Sequence, residues 1–198
     1  MANPFYISTA ISYTNGPPHI GHAYEVIAAD AIARFKRLDG YDVFFLTGTD
    51  EHGLKVQKKA QELGIDPKKY VDEISKEFIQ LSISLNCSND DFIRTTDERH
   101  VKNVQSIWKI LFDKGDIYLD QYSGWYSITD EAFYNEEELI KTDSNSFLSP
   151  NGNPVEWVDE ESYFFKLSKY QNDLLELYER NEKFILPSSR MNEIKNFV

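Results

Sequence analysis

The chain has 198 residues, of which 41% are hydrophobic, and its 33 acidic and 21 basic residues give a formal net charge of −12 at pH 7. This length and composition suit one large domain or a domain with an insertion. The negative charge argues against a general polyanion-binding surface, and the single cysteine excludes an intramolecular disulfide and a multi-thiolate zinc site.

The chain begins with a predicted strand, turn and helix. Residues 5–9 are rich in aromatic and β-branched side chains, which is typical of a buried strand. Residues 15–18, Asn-Gly-Pro-Pro, predict a turn because glycine permits a positive φ and proline disfavours helix before itself. Apolar residues then recur every three or four positions, which predicts a helix with the stripe Ile20, Tyr24, Ile27, Ala31, Phe35 and Leu38.

Two histidines at the start of this helix indicate a phosphate-binding site. The first turn of a helix offers unpaired N–H groups and the positive end of the macrodipole, and both attract anions. His19 and His22 lie there, and Gly16 and Gly21 allow a nucleotide to approach the backbone. Neither the dinucleotide-binding fingerprint nor the Walker loop is present. Two histidines at this spacing are also compatible with a surface position or a metal site.

Strands and helices continue to alternate in the first half of the sequence. The apolar run at residues 43–46 predicts a strand covered on both faces, followed by a polar loop at residues 47–53 that contains Asp50. A third strand follows, and then a helix that is predicted to turn Val101, Val104, Trp108 and Leu111 inward. This order predicts an α/β fold over residues 1–115, the first half of a Rossmann-type nucleotide-binding fold, with ligands at the carboxyl ends of its strands.

The remaining residues have a different character. Short strand signals, separated by acidic and turn-rich segments, predict a small inserted α+β connective segment at residues 116–165. Its strands are expected near residues 117–119, 125–128 and 155–158. Helical periodicity then returns, so residues 166–198 are predicted to form helices that return toward the core.

The tetrapeptide His-Ile-Gly-His at residues 19–22 resembles the signature of class I aminoacyl-tRNA synthetases and related nucleotidyltransferases. Three longer stretches resemble the methionyl-tRNA synthetase family within that class. They are AISYTNGPPHIGH at residues 10–22, GTDEHG at residues 48–53 and ESYFFKLS at residues 161–168. The resemblance therefore spans essentially the whole chain.

The resemblance implies the amino-terminal catalytic region of an ATP-dependent methionine–tRNA ligase. In that reaction the carboxylate of methionine attacks the α-phosphate of ATP, which enters with Mg²⁺, and the methionyl-adenylate is then used to charge tRNA(Met). By resemblance the catalytic residues are His19 and His22, the ATP-binding residues are Asn15, His19, Gly21 and His22, and the methionine-binding residues are Ile11, Tyr13 and Asp50.

Members of the family continue with the second half of the Rossmann fold and with a KMSKS loop that grips pyrophosphate. The stretch KLSKY at residues 166–170 is superficially similar to that loop, but its place inside a helical pattern argues against the role. We therefore expect the 198 residues alone to be inactive. The insertion lacks the paired C-x-x-C motifs of many relatives, so neither structural zinc nor another metal site is expected.

The sequence contains no long apolar run, so we expect no signal peptide, no membrane span and a cytoplasmic location. Two alternative functions stay open. A small H-x-G-H nucleotidyltransferase would explain residues 19–22, but it would not explain residues 50–52 or 163–168. A non-catalytic binding piece derived from a synthetase would fit the missing second half of the fold.

Overall fold

A computed structural model of the chain describes residues 2–142 and 146–198. The chain separates into two compact units, Met1–Gln105 and Ser106–Val198. Residues 143–145, which belong to the predicted insertion, lie outside the described residues. The predicted division at residues 115 and 165, and the return of the last helices toward the core, stay predictions.

The first unit is built on a parallel sheet. Strand β3 (Asp42–Asp50) lies in the middle, because its residues 46 and 49 each pair with β4 (Asp91–Arg94) as well as with β1 (Pro4–Ser8) or β2 (Ser12–Tyr13). β1 and β2 therefore follow one edge of β3 in succession, and β4 follows the other edge. The elements are β1 Pro4–Ser8, β2 Ser12–Tyr13, α1 Ile20–Leu38, β3 Asp42–Asp50, α2 Leu54–Glu62, α3 Pro67–Ser84, β4 Asp91–Arg94 and α4 Glu98–Asp113, whose last residues belong to the second unit.

Two clusters of buried side chains hold this unit together. In the first, α1 packs against β3 through Val26, Ala29 and Ala33, and Phe45 is fully buried between them. Small alanine side chains let the helix approach the strand closely. The second cluster joins α2 to α3 and consists of Val56, Ala60, Tyr70, Val71, Ile74 and Phe78.

The apolar stripe predicted for α1 is not the face that is buried. Ile20 is 86% exposed and Leu38 is 89% exposed, and the other residues of the stripe are exposed as well. The helix is apolar on two faces, and the one with smaller side chains meets the sheet. The prediction for α4 was wrong for Val104 and Trp108, which are exposed, whereas Val101 and Leu111 are half-buried; this fully described helix buries none of its residues.

The second unit is built on an antiparallel sheet in which β5 (Ile117–Ser127) lies between β6 (Ala132–Tyr134) and β9 (Glu156–Phe165). The strand signals predicted at residues 117–119 and 125–128 belong to one long strand, which pairs with β9 from Ile117 opposite Phe165 to Tyr126 opposite Glu156. Its elements are β5 Ile117–Ser127, β6 Ala132–Tyr134, β7 Ile140–Lys141, β8 Phe147–Leu148, β9 Glu156–Phe165, α5 Gln171–Arg180 and α6 Ser188–Phe197, with 3-10 helices at Glu136–Glu138 and Leu167–Tyr170. Within the described residues, no helix has both the length and the apolar character that a membrane span requires.

Candidate active site

The two histidines cap the first helix with their own side chains. His19 is the N-cap residue, and its Nδ1 accepts a hydrogen bond from the Gly21 N–H at 3.1 Å. The His19 N–H in turn donates to Nδ1 of His22 at 3.1 Å, which completes a capping box. The rings stack with centroids 3.8 Å apart. A Cβ at position 21 would lie 3.0 Å from the His19 ring, so glycine is what lets the ring fold over the helix start.

This hydrogen bonding also fixes where each neutral imidazole carries its proton. Both Nδ1 atoms accept backbone N–H groups, so each neutral ring must be protonated at Nε2. Partial burial, followed by repulsion from His19, lowers the pKa of His22 against an opposing effect of Glu25. His22 is therefore neutral at pH 7 and presents an Nε2–H donor.

A small, partly open cleft lies beside His22 at the carboxyl ends of β1 and β3. Its walls include the link between β1 and β2, the Gly48 segment of β3 and the ring of Phe78, which meets His22 edge-on at a centroid distance of 5.0 Å. Glu25, one turn after His22, also lines the cleft and accepts a hydrogen bond from the Ala10 N–H at 2.8 Å. Glu25 thereby holds the backbone immediately before Ile11.

The residues that are predicted to bind methionine lie along the same edge of the sheet. Tyr13 of β2 is the register partner of Asp50 in β3. Asp50 is the last residue of that strand, which corrects the prediction of a loop over residues 47–53. Ile11 is exposed in the link before β2, and Asn15 is exposed in the turn before α1. The structure thus brings Tyr13 and Asp50 together and stacks His19 on His22, and of the predicted residues only His22 lines the cleft.

Tyr13 also explains a glycine in the GTDEHG stretch. Gly53 has φ +121°, a conformation that other residues rarely adopt, and a Cβ there would lie 2.4 Å from the Tyr13 hydroxyl oxygen. The chain turns at this point from the end of β3 into α2. Glycine is therefore required for Tyr13 to hold its position beside Asp50.

Glu51 is the most highly connected side chain near the site, and sequence reasoning gave it no role. Its carboxylate is fully buried and paired with Arg94, whose Nε and Nη2 donate to it at 2.6 and 2.9 Å. Burial acts to raise the pKa of Glu51, but the hydrogen bonds from Arg94, Ser75, Thr96 and Thr49 outweigh it and lower the pKa to about 2. The carboxylate is therefore ionised at every physiological pH.

Local spacing could have indicated one of the two missed glutamates but not the other. Glu25 stands three residues after His22, which places it on the same side of the predicted helix. Glu51 and Arg94 are 43 positions apart and meet only because β3 and β4 pair. No periodicity in the sequence encodes that contact.

A helix that carries two histidines at its start and follows the first two strands of a parallel sheet is typical of a nucleotide-binding α/β domain. Comparison with known proteins narrows this class. Residues 5–146 match the family model described as "tRNA synthetases class I (M)". The chain belongs to this family, and the resemblance seen in the sequence is confirmed.

Relatives with known names give the same result. The chain is 57% identical over 196 residues to the methionine–tRNA ligase of Rhizobium meliloti, covering 99% of the chain and 38% of that protein. It is 55% identical over 198 residues to the methionine–tRNA ligase of Rickettsia conorii, covering 100% of the chain and 38% of that protein. The chain thus spans about two fifths of the length of these relatives.

A solved structure confirms the predicted fold class. Mycobacterium tuberculosis methionyl-tRNA synthetase in complex with methionyl-adenylate superimposes with a TM-score of 0.91 at 50% identity, over 98% of this chain and 38% of that one. The mixed α/β architecture with its parallel sheet is therefore that of a class I synthetase catalytic domain, in its amino-terminal part.

Proposed function

We propose that this chain forms the amino-terminal catalytic region of a methionine–tRNA ligase, which activates methionine with ATP to methionyl-adenylate for transfer to tRNA(Met). The observation that carries the proposal is the His19–His22 capping box at the carboxyl edge of the parallel sheet, next to the Asp50 end of β3. Similarity to a synthetase solved with methionyl-adenylate supports it.

His19 and His22 would bind the phosphates of ATP, with Asn15 and Gly21 beside them. The Nε2–H donor on each ring and the positive end of α1 would stabilise the negative charge that develops on the phosphate during attack by the methionine carboxylate. Stabilisation of that charge, together with positioning of the two reactants, accounts for the rate enhancement.

Asp50 and the backbone of Ile11 would hold the ammonium group of methionine, and Tyr13 would pack against its side chain. The register pairing of Tyr13 with Asp50, and the hydrogen bond from Ala10 to Glu25 that fixes the preceding backbone, support this arrangement. A carboxylate is the natural counter-charge for an ammonium group in a partly desolvated site.

ATP would enter as its Mg²⁺ complex, so the ion arrives with the substrate. In residues 2–142 and 146–198 no three His, Cys, Asp or Glu side chains gather in a group that could hold a metal ion. The ligands of that ion would therefore be mainly phosphate oxygens and water. We further propose that the protein acts in the cytoplasm and that tRNA(Met) binds through the complete enzyme.

Methionine-dependent exchange of pyrophosphate into ATP tests the proposal. It should be measured on the purified 198-residue chain and on the longest product that its gene encodes, in a host strain whose own synthetase can be removed by an affinity tag. We expect methionine-dependent exchange by the longer product and no charging of tRNA by the 198 residues alone. Pyrophosphate exchange that does not depend on methionine would instead indicate a small nucleotidyltransferase. The absence of exchange with either protein would indicate a non-catalytic binding piece.

A further inference from the structure

We propose that Glu51 is a positioning residue: its buried carboxylate and its backbone N–H fix the end of β3 and so orient the Asp50 carboxylate toward the ammonium group of methionine. This inference rests on the function proposed above. It assigns a role to a residue that contacts neither substrate, and the argument depends on what the side chain and backbone of Glu51 hold in place.

The carboxylate of Glu51 gathers hydrogen bonds from three separate parts of the first unit. Oε1 accepts from Thr49 in β3 at 2.7 Å and from Ser75 in α3 at 2.5 Å. Oε2 accepts from Thr96 beyond β4 at 2.5 Å, and Arg94 at the end of β4 binds both oxygens. One side chain therefore ties α3 and the end of β4 to the end of the strand that carries Asp50.

The backbone around Asp50 is held by hydrogen bonds on both of its edges, from Thr95 after β4 and from Thr14 after β2. The Glu51 N–H donates to the Thr95 hydroxyl at 2.9 Å, and the Thr95 N–H donates to the Thr49 carbonyl at 3.2 Å. The Asp50 carbonyl accepts from the N–H of Thr14 at 3.0 Å and from its hydroxyl at 3.1 Å. The peptide groups before and after Asp50 are thus fixed between β4 and the end of β2.

Side chains alternate between the two faces of a strand, and this alternation determines where the Asp50 side chain points. Thr49 and Glu51 bond to each other, so they share one side of the chain, and the side chain of Asp50 leaves on the other side. Arg94 neutralises Glu51 and is itself held by Asp72 at 2.5 Å. The buried charge of Glu51 is therefore compensated locally, and Asp50 remains available as the negative charge for the ammonium group.

The variant E51Q keeps the size of the side chain but removes the charge and one acceptor. In methionine-dependent pyrophosphate exchange by the longest product of the gene, we expect E51Q to raise KM for methionine about tenfold or more and to leave KM for ATP little changed. D50N, which removes the counter-charge itself, should shift KM for methionine in the same direction.

D30N is the matched control for lost stability. Asp30 is also a buried carboxylate of the first unit, and it accepts from Arg34 at 2.6 Å and from the N–H and hydroxyl of Ser88 at 2.6 Å each. We expect D30N to lower the melting temperature as E51Q does, while KM for methionine stays at the wild-type value. An equal rise in KM for methionine in D30N would overturn the inference, because it would attribute the effect to stability alone.

The double variant E51L/R94M covers the case in which E51Q does not fold, because two apolar side chains leave no buried charge unpaired. A restored melting temperature with KM for methionine still raised supports the positioning role. Restoration of both values overturns it, as does a wild-type KM for methionine in folded E51Q. A wild-type protein without methionine-dependent exchange would refute the proposed function itself, and this inference with it.

Discussion

The two units of the chain achieve stability in different ways. The first unit has two clusters of buried hydrophobic side chains around a parallel sheet, with Phe45 at the centre of one of them. In the described part of the second unit the buried hydrophobic side chains are Ile117, Tyr178 and Met191, while Asp116, Ser127 and Ser149 are fully buried polar residues. Its antiparallel sheet carries pairs of half-exposed aromatic rings, such as Trp125 against Trp157.

The difference shows what polar networks do in each unit. In the first unit the fold already has an apolar core, and the network around Glu51 lies next to the candidate active site. In the second unit Asp130 accepts from the Ser149 hydroxyl at 2.5 Å and from Asn153 and Asn151 at 2.7 and 3.1 Å. That network joins two loops of a unit with little core. The network around Glu51 thus positions residues beside the candidate active site, whereas the network around Asp130 stabilises the fold of the second unit.

The largest expected effect tests this contrast between the cores. Phe45→Ala should lower the free energy of unfolding of the first unit by about 3–5 kcal/mol, because it leaves a cavity in a close-packed cluster. Trp157→Ala removes a larger ring that is 57% exposed and should cost only about 0.5–1.5 kcal/mol. Hydrogen exchange read by mass spectrometry separates the two units. Equal losses in both variants would refute the contrast.

The histidines test the catalytic side of the comparison. His19→Ala or His22→Ala should slow methionine-dependent pyrophosphate exchange a hundredfold or more, since removal of one transition-state donor costs about 3–4 kcal/mol. KM for methionine should change little. Loss of the cap also destabilises α1 by about 0.5–2 kcal/mol, so melting temperatures are recorded alongside. His100→Ala, in α4, is the control and should keep wild-type kinetics. A parallel loss of methionine affinity would contradict the assignment.

Ser149→Ala tests cohesion in the second unit. It removes a buried donor to an ionised carboxylate and should cost roughly 1.5–3 kcal/mol, whereas Ser123→Ala, at an exposed hydroxyl of β5 in the same unit, should cost under about 0.5 kcal/mol. Hydrogen bonds, that of Ser149 foremost, lower the pKa of Asp130. Its contribution is therefore complete above the unfolded pKa of about 4 and is lost as the pH falls toward the folded value.

The measurement is the fluorescence of the three tryptophans, Trp108, Trp125 and Trp157, all of which belong to the second unit. Denaturant titrations at pH 7 and below pH 4 should show the Ser149→Ala deficit shrinking in acid. Added chelator should leave the wild-type transition unchanged if the insertion folds without metal. A chelator-sensitive transition, together with stoichiometric zinc by elemental analysis, would refute that expectation.

How much of this could be predicted from the sequence differs between the units for physical reasons. In the first unit the strand, turn and helix were predicted because glycine, proline and periodicity act locally at residues 5–38. The buried face of α1 was missed because a search for large apolar residues passes over Ala29 and Ala33, whose small size suits close packing on β3. In the second unit, β5 was predicted as two short strands because its middle is polar and typical of a turn. Its pairing with β9 makes it one continuous strand.

For the candidate site, too, the residues in local motifs could be predicted from the sequence and the one held by tertiary contacts could not. The histidine pair and Asp50 were found because contiguous motifs carry them, and their individual roles stay predictions. Glu51 was not found, since its contacts with Ser75 and Arg94 join residues far apart in the sequence. A residue that acts through tertiary contacts leaves no periodic signal in a single sequence, whereas a residue that binds a ligand from a turn stands inside a recognisable motif.

The smallest expected effect concerns the stretch KLSKY at residues 166–170. Leu167–Tyr170 forms a 3-10 helix, and the ammonium group of Lys169 is bonded to the buried carboxylate of Asp116, which also accepts from the Tyr170 hydroxyl at 2.6 Å. The bond to Asp116 raises the pKa of Lys169, so the side chain is a charged structural partner at pH 7. We therefore interpret Lys169 as a structural residue of the second unit and not as a ligand of pyrophosphate.

We therefore expect Lys169→Met to change KM for ATP and the rate of pyrophosphate exchange by less than about twofold, as is usual for a largely exposed side chain outside a binding site. It should also lower the melting temperature, because the buried carboxylate of Asp116 loses its cation and keeps its bond from Tyr170. Lys166→Met, which removes an ammonium group 5.4 Å from the centroid of the Tyr118 ring, is the matched control and should leave exchange equally unaffected. A hundredfold loss of exchange in Lys169→Met alone, with an unchanged melting temperature, would place pyrophosphate binding in the second unit and break the division of roles between the two.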